Sequence, residues 1–178
     1  MEFYKEFIEK DINPAWKIKE RIAVRAVIFH KGNLLLVHNN KGDYKFPSGG
    51  VEKGEVHNDA LIREIREETG YVNGQVKYRI GTVIERWVDQ FEEETLFQMT
   101  SHYYLCELVD DEKIGQQLDD YEYEQEFEPV WVPLNEAIQA NESLVGKPGG
   151  NGWVRRETFV LKELRKWSIA GSNRGSVI

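Results

Sequence analysis

Residues 59–69, DALIREIREET, constrain this chain more than any other stretch. At roughly 100° per residue, Leu61, Ile62, Ile65 and Thr69 gather on one side of a helix, which predicts a core-facing stripe. Glu64, Glu67 and Glu68 gather on roughly the opposite side, at spacings i, i+3 and i+4. Carboxylates so spaced repel, at about 0.2–0.5 kcal/mol per pair, and a helix that needed only solubility would alternate its signs. Such a cluster supplies hard oxygen ligands, and a divalent ion such as Mg²⁺ or Mn²⁺ turns the repulsion into attraction. Taken alone, the same three residues also fit an ordinary solvated acidic face.

The loop before this helix suits the same task. Gly49, Gly50 and Gly54 let the backbone bend tightly, so that a main-chain carbonyl can face an ion and amides can approach phosphate oxygens. Glu52 and Glu55 add carboxylates near the helix start, and Arg63 can hold a carboxylate in a forked hydrogen-bonded pair. Gly70 is suited to end the helix as its C′ residue.

Elsewhere the pattern alternates between strand and helix. IAVRAVIF at 22–29, a turn at Lys31-Gly32-Asn33, and LLLV at 34–37 predict a hairpin entering the core. Strands are expected over 76–88 and 96–108, separated by an acidic tip, and a short one lies between Pro129 and Pro133. Helices are expected from about Asn135 to Asn141 and from about Arg155 to Trp167, with a long acidic connection over 110–128. Residues 1–20 read as a polar lead-in interrupted by Pro14, and 169–178 as a frayed tail. Strands mixed with separated helices predict a sheet covered on both faces.

The order Gly49, Glu55, then Arg63-Glu64-Ile65-Arg66-Glu67-Glu68-Thr69-Gly70-Tyr71 is similar to an intact Nudix box. A chance match in a chain of this composition is on the order of one in 10⁵ to 10⁶. The resemblance implies an α/β fold, the Nudix-type α/β/α sandwich with a mixed β-sheet between helices, spanning residues 21–168. It implies hydrolysis of a nucleoside diphosphate linked to another moiety, with Mg²⁺ or Mn²⁺ as cofactor. Carried over by position, Glu67 and Glu68 become the principal metal ligands, and Glu64 a further ligand or the base. Glu55 and Arg63 become the supporting pair, and Ser48 lends its carbonyl to a metal. Family members often use one more glutamate from outside the box. Glu124, Glu126 and Glu128 all precede Val130-Trp131-Val132, and Glu126 and Glu128 are the two expected to serve.

Substrate contacts are expected from Gly49, Gly50 and Trp131. Tyr44, Trp87 and Phe91 could also stack on a base, although aromatics at strand spacing serve equally as cross-strand pairs. Arg155 and Arg156 are read as capping or surface residues, with phosphate binding as the sharper alternative. The four histidines lack paired ligand spacing, and Cys106 reads as a small core residue. GKPGGNG at 146–152 is no P-loop, because Lys147 is followed by Pro148.

Charge and composition narrow the partners. There are 23 Lys and Arg against 31 Asp and Glu, a net charge of −8, which argues against a broad nucleic-acid face. A polyanionic substrate then needs cations between it and the protein, which bound metal ions supply. No apolar run approaches the ~20 residues of a membrane span. A lone cysteine and a mixed-charge N-terminus predict a cytoplasmic protein without a signal peptide. The family resemblance leaves a monomer or a homodimer open. A nucleotide-binding sensor without catalysis is the rival reading, weakened by the intact box and by the absence of a basic recognition helix.

Overall fold

The expected hairpin strand extends back to Lys17, with β-branched Ile18, Ile22 and Val24 on one side of it. The structure, a computed structural model, describes residues 2–172. Its elements run β1 (Phe3–Ile8), β2 (Lys17–His30), β3 (Asn33–His38), β4 (Tyr44–Lys45), β5 (Ser48–Gly50), α1 (His57–Thr69), β6 (Gly74–Val88) and β7 (Thr95–Leu108), then α2 (Asp120–Glu124), β8 (Glu128–Pro133), α3 (Leu134–Leu144) and α4 (Val154–Ser172). The strands form one mixed sheet in the order β1-β6-β7-β2-β3-β4, with β5 also paired to β2 and β8 to β3. β2 runs parallel to β7 and β1 parallel to β6, while the hairpin pairs are antiparallel.

Period-two alternation along β2 splits its side chains between two cores. Val24, Ala26 and Ile28 pack with Ala60, Leu61 and Ile65 of α1 and with Cys106. Val27 faces the other way, into a core of Phe46, Tyr103, Ile138, Val160 and Leu161, the last three from α3 and α4. Leu61 and Ile65 are fully buried, each contributing about 1.5–3 kcal/mol. Helices cover both faces of the sheet, so the α/β/α sandwich expected from the box is the architecture found.

α1 ends where the glycine signal put it. Gly70 adopts φ 79° and its amide bonds to the Arg66 carbonyl. A Cβ there would stand 2.5 Å from the Ile114 carbonyl oxygen, so the site requires glycine twice over. The acidic connection packs against this helix end. Ile114 and Gln117 donate their amides to the carbonyls of Gly70 and Glu67, and the Gln116 side chain donates to the carbonyl of Glu68. Main-chain oxygens left open at a helix end are thereby satisfied.

Two expectations require correction. The lead-in over 1–20 contains β1, which adds a parallel strand to β6, with Phe3 buried against Tyr103 and Phe159. Six residues of weak alternation gain a partner only from the sheet edge, which local sequence does not reveal. The long connection contains α2, a short helix opened by a capping box between Asp119 and Glu122. The tail expected over 169–178 falls mostly outside the described residues. Among the described residues, no helix is long and apolar enough to cross a membrane.

Candidate active site

Arg63 organises one wall of a cleft of about 900 Å³. Its Nε and Nη2 donate to the two oxygens of Glu55 at 2.9 and 3.0 Å, a forked pair. Its Nη1 donates to Glu64 at 2.6 Å and to Glu67 at 3.0 Å, and Nη2 also reaches the Gly50 carbonyl. One guanidinium thus binds the pre-helix loop to two helical carboxylates. The hydrogen bonds from Arg63 hold the Glu55 carboxyl below its usual range, and its carboxylate neighbours push the Arg63 pKa up. Burial pushes the Glu64 carboxyl up, with Arg63 opposing it. Gly49 lies so close to Glu64 that a Cβ would collide with that carboxylate.

Glu68 lies deeper, on the same helix. One oxygen accepts from Lys45 Nζ at 2.5 Å and the other from the Ser48 amide at 2.8 Å. Burial pushes the Glu68 carboxyl upward even with Lys45 beside it. Lys45 also lies over the ring of Phe127, 4.5 Å from its centroid.

Two further cations, Arg25 and Arg156, line the cleft. Arg25 donates to Ser48 Oγ at 2.7 Å and pairs with fully buried Glu157. Arg156, read from sequence as a capping or surface residue, is also buried, holding Glu157 through two nitrogens and Glu85 through a third. Tyr103 and the Phe46 amide complete the shell around Glu157. The signal lay in strand alternation: Arg25 interrupts an apolar run, on the face that becomes the cleft floor.

Of the residues singled out from sequence, Ser48, Gly49, Gly50, Arg63, Glu64 and Glu67 line the cleft, and Glu55 and Glu68 bond directly to lining residues. Glu126 and Glu128 do not line it. Glu122 does, buried and close enough to Glu68 to raise that carboxyl. The turn of α2 aims Glu122 inward, and Glu126 then adopts φ 54°, which redirects the exposed chain toward β8. Of the glutamates in the acidic connection, Glu122 is the one the structure brings to the cleft, whereas Glu126 and Glu128 lie outside its lining. Trp131 is not among the lining residues: its indole donates to Tyr71 Oη at 2.9 Å and packs against His30. Tyr44 packs on His38 and Phe91 is exposed, whereas Trp87 lines the cleft.

The donor set suits a hard divalent cation, being carboxylate oxygens of Glu64, Glu67 and Glu68. Among the described residues, no three acidic, histidine or cysteine side chains stand as a ready-made ion site. Arg63 and Lys45 hold those oxygens instead, neutralising charges that would otherwise repel. The space a side chain at Gly49 would need is filled by the Glu64 carboxylate, so glycine lets that donor lie against the loop main chain. The donor chemistry thus agrees with Mg²⁺ or Mn²⁺.

A mixed sheet between helices, with a glutamate-rich helix locked to a glycine loop by one arginine, defines the Nudix class of α/β proteins. A family model of the NUDIX domain matches residues 19–149, and the chain belongs to that family. An uncharacterized Nudix hydrolase of Schizosaccharomyces pombe is 32% identical over 121 residues, which cover 66% of this chain and 53% of that protein. The chain thus spans about half the length of that curated relative. A solved Nudix hydrolase from Nitrosomonas europaea superposes with a TM-score of 0.55 at 22% identity, covering 86% of this chain and 90% of the other. A C. elegans Ap4A hydrolase superposes with a TM-score of 0.53 at 17% identity, covering 84% and 98%. At those identities the likeness is one of fold.

Proposed function

We propose that this protein is a metal-dependent hydrolase that cleaves the pyrophosphate linkage of a nucleoside diphosphate derivative in the cytoplasm. The observation that carries the proposal is the Arg63 hub. It binds Glu55, Glu64, Glu67 and the Gly50 carbonyl into one edge of a cleft that Arg25 and Arg156 also line. Glu64, Glu67 and Glu68, with the Ser48 carbonyl and Glu122, would hold Mg²⁺ or Mn²⁺. When bound, the metal supplies neutralisation of phosphate charge and a water acidified toward neutral pH.

The chain's own residues do the rest. Arg63 holds the helical carboxylates in fixed orientations, which reduces reorganisation during the reaction. Gly49, with no side chain, lets the Glu64 carboxylate lie against the loop. Glu64, paired with Arg63, would serve as a further metal ligand or as the base that takes a proton from an attacking water. Arg25 and Arg156 line the cleft, and their guanidinium groups are held in place by Glu157 and Glu85.

The test is release of nucleoside monophosphate, followed by chromatography, from a panel of nucleoside triphosphates, nucleotide sugars and dinucleoside polyphosphates, with Mg²⁺ present and chelated. Metal-dependent release from at least one class, reduced by orders of magnitude in folded Glu67→Gln and Glu68→Gln, is the expected result. Release unchanged in both variants, or none from any class at saturating metal, would overturn the assignment. Tight nucleotide binding without release would instead favour a sensor.

A further inference from the structure

Arg21, Met99 and Trp87 share one face of the sheet, beyond the carboxylates. Arg21 on β2 lies opposite Met99 on β7, and Trp87 on β6 is diagonal to Met99 through the Glu85–Met99 and Trp87–Phe97 pairs. All three line the same cleft as Gly49 and Glu64. Every other cation lining that cleft is matched to a carboxylate: Arg25 to Glu157, Lys45 to Glu68, Arg63 to Glu55 and Arg156 to Glu85. Arg21 has no such partner among the described residues, and its guanidinium lies over Gly50, where a Cβ would come within 3.0 Å of it.

We propose that Arg21, Trp87 and Met99 form the subsite for the nucleobase of the substrate. The proposal rests on the phosphoanhydride-hydrolase reading of the cleft and adds where its organic half lies. Trp87 is half-buried and backed by Phe97, with ring centroids 5.0 Å apart and planes 34° apart, so one face is braced while the residue still borders the cleft. Met99 supplies a soft, polarizable floor that adapts to a flat ring. β2 and β6 are roughly 10 Å apart across β7, which leaves room for one planar ring system between side chains rising from them. A guanidinium without an internal partner offers a planar stacking surface and free donors for the acceptor atoms of a base. The position also suits the chemistry. Arg21 overhangs Gly50, so a base held there trails its phosphates onto the Gly49 loop and the Arg63 hub.

The experiment is calorimetric titration, with Mg²⁺, of the α,β-methylene analogues of ADP, GDP, UDP and CDP, with methylenediphosphonate as the control lacking a base. These analogues resist cleavage, so binding is read apart from turnover. The wild-type chain is expected to bind at least one nucleotide analogue more tightly than methylenediphosphonate. Trp87→Leu and Arg21→Met should each weaken that analogue by roughly 5- to 100-fold, the range of one base–aromatic stack, and leave methylenediphosphonate unchanged. Trp87→Phe should keep most of the affinity. Should Trp87→Leu fail to fold, exposed Arg21 carries the same test. Equal affinity for nucleotide and baseless analogues, no binding of either, or full nucleotide affinity in both variants overturns the subsite. Base-dependent binding without cleavage of any natural substrate to nucleoside monophosphate would sink the hydrolase reading while leaving the subsite standing.

Discussion

Lys45 Nζ lies 2.5 Å from Glu68 Oε1, and neither side chain exposes more than 6% of its surface. The short strand β4 and the helix carrying the carboxylates are joined by this charge pair, sealed beneath Phe127. Attraction within such a pair roughly offsets the cost of burying both charges, but removing one partner leaves the other stranded. Lys45→Met is expected to lower stability by about 3–5 kcal/mol in urea titrations. Adding Glu68→Gln should recover most of the loss, because the stranded charge goes too. A double variant as unstable as the sum of the single ones would show that the pair is not coupled.

Arg63 tests geometry rather than charge. A lysine there keeps the cation but cannot fork onto Glu55 while also reaching Glu64, Glu67 and the Gly50 carbonyl. Arg63→Lys should therefore reduce kcat by about 10- to 100-fold, as loss of a supporting shell does, with only a small change in Tm. An unaltered kcat would mean that the carboxylates need no orienting partner.

Gly49 is required for space. Its missing side chain leaves room for the Glu64 carboxylate, which a methyl group would displace. Gly49→Ala is expected to cost about 100-fold in kcat/KM, the scale of a 1 Å misplacement, while circular dichroism stays native. The flexible end of Glu64 can yield, so the penalty should appear in activity before it appears in folding.

Cys106 tests burial on the α1 side. Its thiol is 1% exposed, and burial pushes its pKa up to about 12. A thiol-specific reagent at pH 8 should leave the native chain unlabelled and label it in denaturant. The folded thiol keeps its proton where the unfolded one has lost it, so its contribution is complete below the unfolded pKa. That contribution falls as pH rises between roughly 9 and 12, by about 1.4 kcal/mol per pH unit. Comparing wild type with Cys106→Ala across that range isolates the effect: the stability curves should converge as pH rises, and parallel curves would refute it.

What the chain alone decided was local. The box helix, its Gly70 stop, the Arg63 fork and the apolar alternation of β2 each depend on residues within a few turns of one another, where period and stereochemistry set the outcome. The carboxylates, their supporting arginine and the two covered faces of the sheet were legible for that reason. Tertiary structure decided everything that needed a distant partner. β1 exists because β6 offers it an edge, Glu122 reaches the cleft because a turn of helix aims it there, and the Trp131 indole is held by the Tyr71 hydroxyl. Arg25, Arg156 and Arg21 become one cleft wall only when β2 and α4 are brought together, about 130 residues apart along the chain. An interaction between distant residues leaves no period in the sequence, because the chain between them carries no record of where it returns.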